Sequence, residues 1–574
     1  MQNRDVIKRL LRFVKQSRWL LILSFISAVV SVLLSLYAPL VIGNAIDAVT
    51  STHKVEAMMP YILLLILIYS LYSLFNWCMM ITSNKIAFSS SCILRKQLFE
   101  KLEHMPISFY DTHARGDLIS RFVNDIDLIS DGLLQGLSTM ISGAVTVVAA
   151  IIFMLRINWQ MSLVVILSAP FTYLVAKTIT RRSQQYFREQ SVTLGKLNGY
   201  SEEMLSSIKT VKAYHYEERA EASFQDINQV LYTSGVKSQF YGSLANPSTR
   251  FVTNVAYSLV GMAGGILALQ QLITIGNIST FLIYSNLFSK PFNEITGVIT
   301  QLQSAIASGR RIFTLFDMEE ESDDSHKESL ERIKGQVEFR DVSFAYEPGK
   351  PLMKHLNMRI PAGSKIAVVG KTGAGKTTLV NLLMRFYEIQ EGKILVDGVD
   401  VHAFTRDSLR RKFGMVLQDT YLFEDSIAAN IAYGKPDATR DEIIAAAKKS
   451  GAHDFIRRLN KGYDSLLHAN SNSLSQGQRQ LLSITRVLLM DPAILILDEA
   501  TSSIDTRSEQ HVNKAMELLM EGKTSFVIAH RLSTIVHSDL ILVMEHGDIV
   551  EQGTHEELLQ KKGYYAQLYN SQFS

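Results

Sequence analysis

The sequence Gly370-Lys371-Thr372-Gly373-Ala374-Gly375-Lys376-Thr377 follows the apolar run Lys365–Val369 and leads into Thr378-Leu379-Val380. This order predicts a buried strand, a glycine-rich turn and the first turn of a helix. Glycines let successive backbone N–H groups converge on one anion, beside the positive end of the helix dipole. The stretch matches G-x-x-x-x-G-K-[ST], whose lysine reaches the β- and γ-phosphates and whose hydroxyl ligates Mg²⁺. The sequence therefore predicts a nucleoside triphosphate site over residues 370–378.

A pair of acids after a second apolar run supports this prediction. Residues 494–497 are short and apolar enough for a buried parallel strand, and Asp498 and Glu499 follow them. Acids at the carboxyl end of such a strand lie beside the phosphate loop. Phosphoryl transfer is catalysed mainly by positioning and charge stabilisation. We therefore expect Asp498 to bind Mg²⁺ through water and Glu499 to orient the attacking water.

Further motifs occur in an order that resembles the ATP-binding cassette (ABC) family, and the resemblance covers the whole chain. It implies that Tyr346 stacks on adenine, that Gln418 touches Mg²⁺ and that His530 contacts the γ-phosphate. The family's signature motif matches Leu474-Ser475-Gln476-Gly477-Gln478, and its loop between paired ATPase domains matches Ser502-Ser503-Ile504-Asp505.

The resemblance implies ATP and Mg²⁺ as ligands and divides the site residues into three groups. The expected catalytic residues are Lys376, Glu499 and His530. The expected metal ligands are Thr377, Gln418 and Asp498. The expected nucleotide contacts are Tyr346, Gly370, Lys371, Thr372, Gly373, Ala374, Gly375, Lys376, Thr377, Thr378, Gln418, Ser475, Gln476, Gly477, Gln478 and Asp505.

The first half of the chain carries long apolar stretches. A membrane-spanning helix needs about 20 predominantly apolar residues. Candidate spans are residues 19–42, 59–82, 133–155, 160–179, 251–272 and 278–300. The long, charged connections at about 84–131 and 180–250 have a helical pattern and resemble the intracellular extensions of ABC exporters. We expect an α-helical membrane domain of about six spans with long cytoplasmic extensions, followed by an α/β P-loop ATPase domain.

The N-terminus is basic and sets the orientation. Its basic residues are Arg4, Lys8, Arg9, Arg12, Lys15 and Arg18. The positive-inside bias and an even number of spans place this end and the ATPase half in the cytoplasm. The resemblance to bacterial ABC exporters implies that the spans lie in the lipid bilayer of a bacterial plasma membrane. Apolar residues between the basic ones predict a helix along the membrane surface.

Length, charge and cysteine content bear on the number of domains and on the kinds of partner and site that we expect. The 574 residues allow more than one domain, and we expect a transmembrane domain at 1–318, a linker at 319–334 and an ATP-binding cassette domain at 335–574. The net charge of +3 gives no indication of nucleic acid as a partner. The two cysteines provide neither a disulfide framework nor the spacing of a metal site.

The signature motif departs from the usual L-S-G-G-Q of the family, because Gln476 replaces its first glycine. In this family the signature of one subunit caps the γ-phosphate bound by its partner, and glutamine adds bulk there. One interpretation is a tolerated variant in a symmetric homodimer. The other, which we favour, is a heterodimer in which this chain supplies the hydrolytic half of the competent site.

The motifs together resemble a bacterial multidrug-type ABC exporter, as a half-transporter that moves a small amphiphilic substrate and needs a second subunit. Three alternatives stay open: a homodimeric exporter or lipid flippase, an ATP-gated importer or channel of the same architecture, and a soluble ATPase that acts on DNA or ribosomes. The apolar stretches disfavour the last of these. The transported substrate is not apparent from the sequence.

Overall fold

The computed structural model of the chain describes residues 2–15, 17–417, 420–467, 474–498, 506–528 and 535–573. It divides into two compact units, Met1–His104 with His113–Glu319, and Met105–Thr112 with Glu320–Ser574. All the described elements of the first unit are helical, whereas the second unit contains the strands. The predicted fold class, a helical membrane domain followed by an α/β ATPase domain, is therefore confirmed.

Long helices dominate the first unit. In chain order, the helices up to residue 316 are α1 (Asn3–Lys15), α2 (Arg18–Thr52), α3 (Met59–Glu103), α4 (Ile107–Thr112), α5 (Arg115–Ser120), α6 (Ile126–Gln135), α7 (Ile141–Ile157), α8 (Trp159–Ser206), α9 (Ile208–Ala213), α10 (Glu217–Leu269) and α11 (Ile275–Phe316). The short helix α4 belongs to the second unit. A 3₁₀ turn (Val55–Met58) precedes α3, and two π-helical turns (Arg121–Asp125 and Gly136–Met140) make α5, α6 and α7 continuous.

Four helical stretches of the described residues are long and apolar enough to cross a membrane. They are Arg18–Thr52, Val55–Glu103, Arg115–Ile157 and Glu217–Leu269. They contain the expected spans at 19–42, 59–82 and 133–155, and most of the one at 251–272. The expected spans at 160–179 and 278–300 lie inside α8 and α11, which have the length but also carry charged residues. The count of six spans therefore stays a prediction.

Helix α1 is amphipathic, as its sequence predicts. Val6, Leu10 and Val14 are buried on one face, and a Cβ added to Gly309 of α11 would lie 2.9 Å from Val6 Cγ1. The exposed faces carry the apolar residues Ile7 and Leu11 and most of the basic side chains. One face of α1 therefore packs closely on α11 while the others remain available to the surroundings.

The second unit contains two β-sheets. Its strands are β1 (Val337–Phe344), β2 (Met353–Ile360), β3 (Lys365–Val369), β4 (Glu391–Val396), β5 (Val399–Asp400), β6 (Phe413–Val416), β7 (Ile494–Asp498), β8 (Thr524–Ile528), β9 (Leu540–Glu545) and β10 (Asp548–Gly553). An antiparallel sheet has the order β2-β1-β4-β5, and a six-stranded sheet has the order β10-β9-β3-β8-β7-β6. In the larger sheet only β10 runs antiparallel to its neighbour.

Helices cover the six-stranded sheet. They include α12 (Lys376–Leu383), α13 (Arg406–Arg410), α14 (Ile427–Ala432), α15 (Arg440–Ser450), α16 (His453–Ile456), α17 (Gln476–Met490), α18 (Thr506–Met520), α19 (His555–Gln560) and α20 (Tyr564–Phe573). Ile366 and Val368 of β3 share one core cluster with α12 and the antiparallel sheet. Ala367 and Val369 point to the opposite face and share the other cluster with α17. Helices α12 and α17 therefore lie on opposite faces of the sheet.

A network of charged side chains fixes the segment that precedes β1. Arg406 is 7% exposed and donates hydrogen bonds to Asp324 at 3.1 Å and to Glu388 at 2.6 Å. Arg385 is 3% exposed and donates to Glu388 at 2.9 Å. Arg410 donates to Glu321 at 3.1 Å. The buried guanidinium groups of Arg385 and Arg406 thus pair partly with Asp324, a carboxylate of this segment.

Helix α4 belongs to the second unit through its aromatic and acidic side chains. Phe109 is buried, and its ring meets Tyr110 edge to face. The phenol O–H of Tyr387 donates a hydrogen bond to the carboxylate of Asp111. Burial and this hydrogen bond raise the pKa of the Tyr387 phenol above its ordinary value, so the phenol remains a donor. Part of the first long connection, which resembles an intracellular extension of an exporter, therefore contacts the ATPase fold.

Candidate nucleotide site

The phosphate loop connects the carboxyl end of β3 to the first residue of α12. Gly375 caps α12 with a φ of +100°, a backbone conformation that residues with a side chain rarely adopt. A Cβ added to Gly370 would lie 2.3 Å from the carbonyl oxygen of Met544, so only glycine fits beside β9. The N–H of Gly547 also donates to the carbonyl of Ala374 at 3.0 Å. The turn between β9 and β10 therefore braces the loop in this shape.

Lys376 lies across this loop. Its ammonium donates hydrogen bonds to the carbonyl oxygens of Gly370 at 2.6 Å and Lys371 at 3.1 Å, and the residue is 9% exposed. Burial lowers the pKa of this ammonium, and the carboxylate of Asp498 opposes that shift. Both carbonyl acceptors are neutral, so a buried cation stands beside a glycine turn and a helix N-terminus. This arrangement fits a phosphate group, whose charge would stabilise the ammonium.

Asp498 ends strand β7 on the same edge of the sheet. It pairs in register with Ile528 of β8, and β8 lies between β7 and β3. The parallel strands therefore bring the carboxyl end of β7 to the edge from which the phosphate loop leaves β3. Thr377 is exposed in the first turn of α12. A hydroxyl and a carboxylate at this edge are the oxygen donors that Mg²⁺ prefers, so the residues present fit the metal.

Tyr346 lies beside the first turn of α12. Its O–H donates to Oγ1 of Thr378 at 3.1 Å. Its ring meets Phe344 and Tyr387 nearly at right angles, with centroid distances of 4.8 Å and 4.9 Å. The residue remains 47% exposed, which leaves part of the ring available for stacking. The structure thus brings the predicted adenine contact next to the predicted phosphate contacts.

The signature motif forms the start of α17. Ser475 is its N-cap, and Oγ of Ser475 accepts from the N–H of Gln478 at 3.3 Å. In return, Oε1 of Gln478 accepts from the N–H of Ser475 at 2.9 Å. This capping box exposes Ser475 and buries Gly477, with Gln476 as the first helical residue. Within the described part of the chain, no hydrogen bond is donated by the hydroxyl of Ser475, so this group can donate to a ligand.

Several predicted site residues fall outside the part of the chain that the structure describes. They are Gln418, Glu499, Asp505 and His530. Their roles stay predictions, supported by the described residue Asp498 and by the ends of β6, β7 and β8 that precede these stretches. The described residues bring together the phosphate loop, Asp498 and Tyr346, but they place the signature motif on the opposite face of the sheet.

Sequence reasoning missed two parts of the site. The first is the brace of Met544 and Gly547, which lies about 170 residues after the loop and has no local pattern of its own. The second is Tyr387, which contacts both Tyr346 and Asp111. The aromatic pair Phe386-Tyr387 follows α12 closely in the sequence and could have indicated this second part of the site.

The comparisons with known proteins agree with this geometry. Residues 21–292 match the model of the ABC transporter transmembrane region, and residues 353–502 match the ABC transporter model. The chain is 42% identical over 572 residues to the uncharacterized ABC transporter ATP-binding protein YfiC of Bacillus subtilis, covering 100% of this chain and 95% of that protein. The chain belongs to the ABC transporter family. As such, it binds ATP and couples ATP hydrolysis to transport across the plasma membrane of a bacterium.

Two further relatives and one solved structure are similar to the chain over most of its length. The chain is 43% identical over 475 residues to the fatty acid ABC transporter ATP-binding/permease protein of Mycobacterium bovis, covering 83% and 75% of the two chains. It is 36% identical over 503 residues to the ATP-dependent lipid A-core flippase of Escherichia coli, covering 87% and 85%. A bacterial Atm1-family ABC exporter with ATP bound matches with a TM-score of 0.78, 29% identity and coverage of 98% and 99%. This ABC transporter therefore has the architecture of an exporter.

Proposed function

We propose that this chain is one half of a dimeric ATP-driven exporter, that it pairs with a different chain, and that it carries the catalytic half of the active ATPase site. Within it, residues 1–318 would form the transmembrane domain, 319–334 the linker and 335–574 the ATPase domain. The observation that carries the proposal is the placement of α12 and α17 on opposite faces of one sheet.

This placement argues for a second subunit. The phosphate loop opens at the N-terminus of α12, and the signature serine caps the N-terminus of α17. Because the sheet separates the two helices, Ser475 cannot cap a phosphate that Lys376 of the same chain holds. The exposed hydroxyl of Ser475 is instead available to the nucleotide of a partner. A complete site would then combine this chain's phosphate loop with the partner's signature.

We assign the roles at the phosphate loop from its residues. The backbone N–H groups of residues 370–377 and the ammonium of Lys376 would hold the β- and γ-phosphates. Thr377 and Asp498, with Gln418, would hold Mg²⁺, which neutralises phosphate charge when bound. Glu499 follows Asp498 directly and would orient the attacking water, while His530 would contact the γ-phosphate. This chain keeps every one of these residue types, which supports a catalytic role for its own phosphate loop.

The departure at Gln476 supports an unequal pair. Gln476 is the first residue of α17, beside the hydroxyl that would meet the partner's nucleotide. A side chain at this position adds bulk and a competing amide where glycine permits close approach. The site capped by this chain would therefore be the weak one, and the site completed by a normal signature on the partner would be the active one.

Two intracellular tips would transmit the ATPase cycle to the membrane helices. At the first tip, Tyr387 joins the ring of Tyr346 to Asp111 of α4, so a change at the nucleotide can reach α4 by direct contact. At the second tip, which includes α9, Tyr214 is 80% exposed. We propose that this second tip docks on the ATPase domain of the partner.

For the substrate we propose a small amphiphile. The relatives named as a fatty acid transporter and a lipid A-core flippase are both named for molecules with acyl chains. Their names support a lipid-like cargo for this chain without distinguishing export from flipping. ATP-dependent accumulation of a fluorescent fatty acid in inside-out vesicles would support export. Loss from preloaded vesicles of the same orientation would indicate an importer or a channel instead.

The decisive experiment for the pairing is purification of the tagged chain from its native membrane, with identification of the proteins that co-purify in stoichiometric amount. We expect one further ABC half-transporter chain whose signature carries glycine at the position equivalent to Gln476. A particle that contains only copies of this chain and hydrolyses ATP vigorously would overturn the heterodimer and leave a homodimeric exporter.

A further inference from the structure

Side chains of α1, α3 and α11 line a groove of about 310 Å³ in the first unit. Its lining residues are Arg9, Arg12, Phe13, Gln97, Phe313 and Phe316. We call this cavity the α1 groove. It combines two guanidinium groups with three aromatic rings, and the nucleotide site uses none of these residues.

Aromatic packing gives the α1 groove an apolar wall. Phe313 is 2% exposed, and its ring stacks on Phe13 with a centroid distance of 6.3 Å. The ring of Phe316 lies 6.1 Å from that of Phe313. Because Phe13 belongs to α1 and the other two rings belong to α11, the wall also fastens the surface helix to the last membrane helix.

The charges of the α1 groove leave it positive. The guanidinium of Arg9 lies 5.5 Å from the centroid of Phe313, and Nη1 of Arg9 donates to Asp317 at 2.7 Å. Arg12 is exposed and contributes a second cation to the lining. Among the described residues, the charged groups that line the groove or bond to its lining are therefore two guanidinium groups and the carboxylate of Asp317. A planar guanidinium recognises phosphate with two parallel hydrogen bonds, so an excess of guanidinium favours a phosphate ligand.

We propose that the α1 groove binds the phosphate headgroup of an anionic phospholipid from the cytoplasmic leaflet. The two arginines would hold the phosphate, and the phenylalanine wall would contact the start of the acyl chains. The position of α1 supports a lipid over a soluble anion. This helix leads directly into the membrane-spanning α2, it exposes Ile7 and Leu11, and Trp19 at the start of α2 is 74% exposed. Such residues anchor a helix in the headgroup layer.

A bound lipid would act on the transporter through the helices that it joins. The lining comes from the surface helix, from α3 and from the end of α11, one residue before the segment that leads to the ATPase fold. Occupancy would hold the ends of these helices together. We therefore expect anionic lipid to affect the ATPase rate of the assembled transporter, by a route that does not involve the transported substrate.

The test uses the purified full-length protein in an uncharged detergent at about 0.5 M ammonium acetate, a volatile salt that screens diffuse surface attraction because the Debye length is then about 4 Å. Water-soluble dihexanoyl phosphatidylglycerol is titrated and its binding is counted by native mass spectrometry, with dihexanoyl phosphatidylcholine and inorganic phosphate as comparison ligands. Arg12→Gln is the test variant. Arg4→Gln is its matched control, since it removes the same charge from the same helix outside the groove lining.

We expect phosphatidylglycerol to bind more tightly than phosphatidylcholine, and Arg12→Gln to weaken it at least about fivefold, the loss expected for one basic residue at an anionic surface. Arg4→Gln should change it less than twofold. Asp317→Asn should strengthen binding, because it removes the carboxylate that competes for Arg9. Equal losses in the two arginine variants, or weaker binding in Asp317→Asn, would overturn the built site. Displacement by inorganic phosphate at the same concentration would overturn the lipid assignment and indicate a soluble anion instead.

Discussion

The phosphate loop and the signature motif are both helix N-termini, yet they differ in how much of their ligand environment this chain supplies. The loop before α12 is braced by Met544 and Gly547, holds a buried lysine and faces Asp498. The signature at the start of α17 contains an exposed serine, Ser475, whose only described polar partner is Gln478, within its own capping box. The N-terminus of α12 is therefore a site that this chain builds by itself, whereas the N-terminus of α17 provides only half of a site.

This difference indicates why the fold tolerates a larger side chain in the signature motif but not in the phosphate loop. The loop is shaped by close backbone approach, so a side chain at Gly370 would collide with the carbonyl of Met544. The signature is shaped mainly by its own helix cap, so the fold of the chain accepts Gln476 without such a collision. The cost of Gln476 would appear only when a partner's nucleotide approaches α17.

The largest expected effect is that of Glu499→Gln. It removes the carboxylate that would orient water after Asp498 while keeping the lysine and the loop. Turnover in the assembled transporter should fall at least about a hundredfold, the usual contribution of a positioned base, with ATP binding kept. Steady-state hydrolysis and ATP titration measure the two quantities, with the exposed Glu521→Gln as control. Activity near that of the unchanged protein would refute the role of Glu499.

The next effect concerns nucleotide affinity. Lys376→Ala deletes the charge at the phosphates and should weaken ATP binding at least tenfold, since a charged hydrogen bond contributes about 1.5–3 kcal/mol. Tyr346→Ala should weaken binding less, because it removes a stacking surface next to α12. Tyr346→Phe keeps the ring, loses only the bond to Thr378, and should bind most like the unchanged protein. An equal or reversed ranking in ATP titrations would contradict the adenine assignment.

A smaller effect on ATPase activity tests whether the two ATPase sites of the dimer are unequal. If this chain is forced into a homodimer, Gln476 occupies both signatures and ATPase activity should be low. Gln476→Gly should then raise the activity of the chain alone severalfold, whereas it should leave the rate of the assembled heterodimer nearly unchanged. The readout is the ATPase rate of each assembly per phosphate loop. Vigorous activity of the unchanged chain as a homodimer would remove the reason for a second kind of subunit.

The smallest effect is on the free energy of unfolding. It distinguishes the role of Ser475 as a helix cap from its role as a contact to the nucleotide. Ser475→Ala removes a capping side chain, which costs about 1 kcal/mol of unfolding free energy. Thr439→Ala removes the equivalent serine-type cap of α15, which has the same capping box. Both variants should lower the thermal unfolding midpoint by a similar amount. Only Ser475→Ala should also lower ATP turnover in the weak site, measured with the strong site blocked by Glu499→Gln.

The sequence predicted the elements whose information is local. The strand, turn and helix of the phosphate loop were placed correctly because the glycine spacing and the run at 365–369 leave few conformations open. The run at 494–497 was recognised as a buried strand for the same reason, and the structure sets Asp498 at its end. The long helices of the first half were also predicted, because their apolar stretches are longer than those of helices buried in soluble proteins.

What escaped prediction depends on residues far apart in the chain. The carbonyl of Met544 beside Gly370 and the bond between Tyr346 and Thr378 follow from strand order, which no short pattern encodes. The charged segment after residue 320 falls in the predicted linker, and its composition says nothing about which side chains its acids contact. The structure shows its carboxylates paired with Arg385 and Arg406, and such pairing cannot be inferred from composition.

That pairing has a practical consequence for anyone who wishes to express the ATPase part separately. A fragment that begins at residue 335 would lack Glu321 and Asp324, although Arg406 and Arg410 would still carry the groups that bond to them. Breaking a buried ion pair by removing one partner costs about 3–5 kcal/mol, a large share of a domain's stability. A fragment that begins near residue 319 keeps both acids and should be the more soluble and better folded of the two.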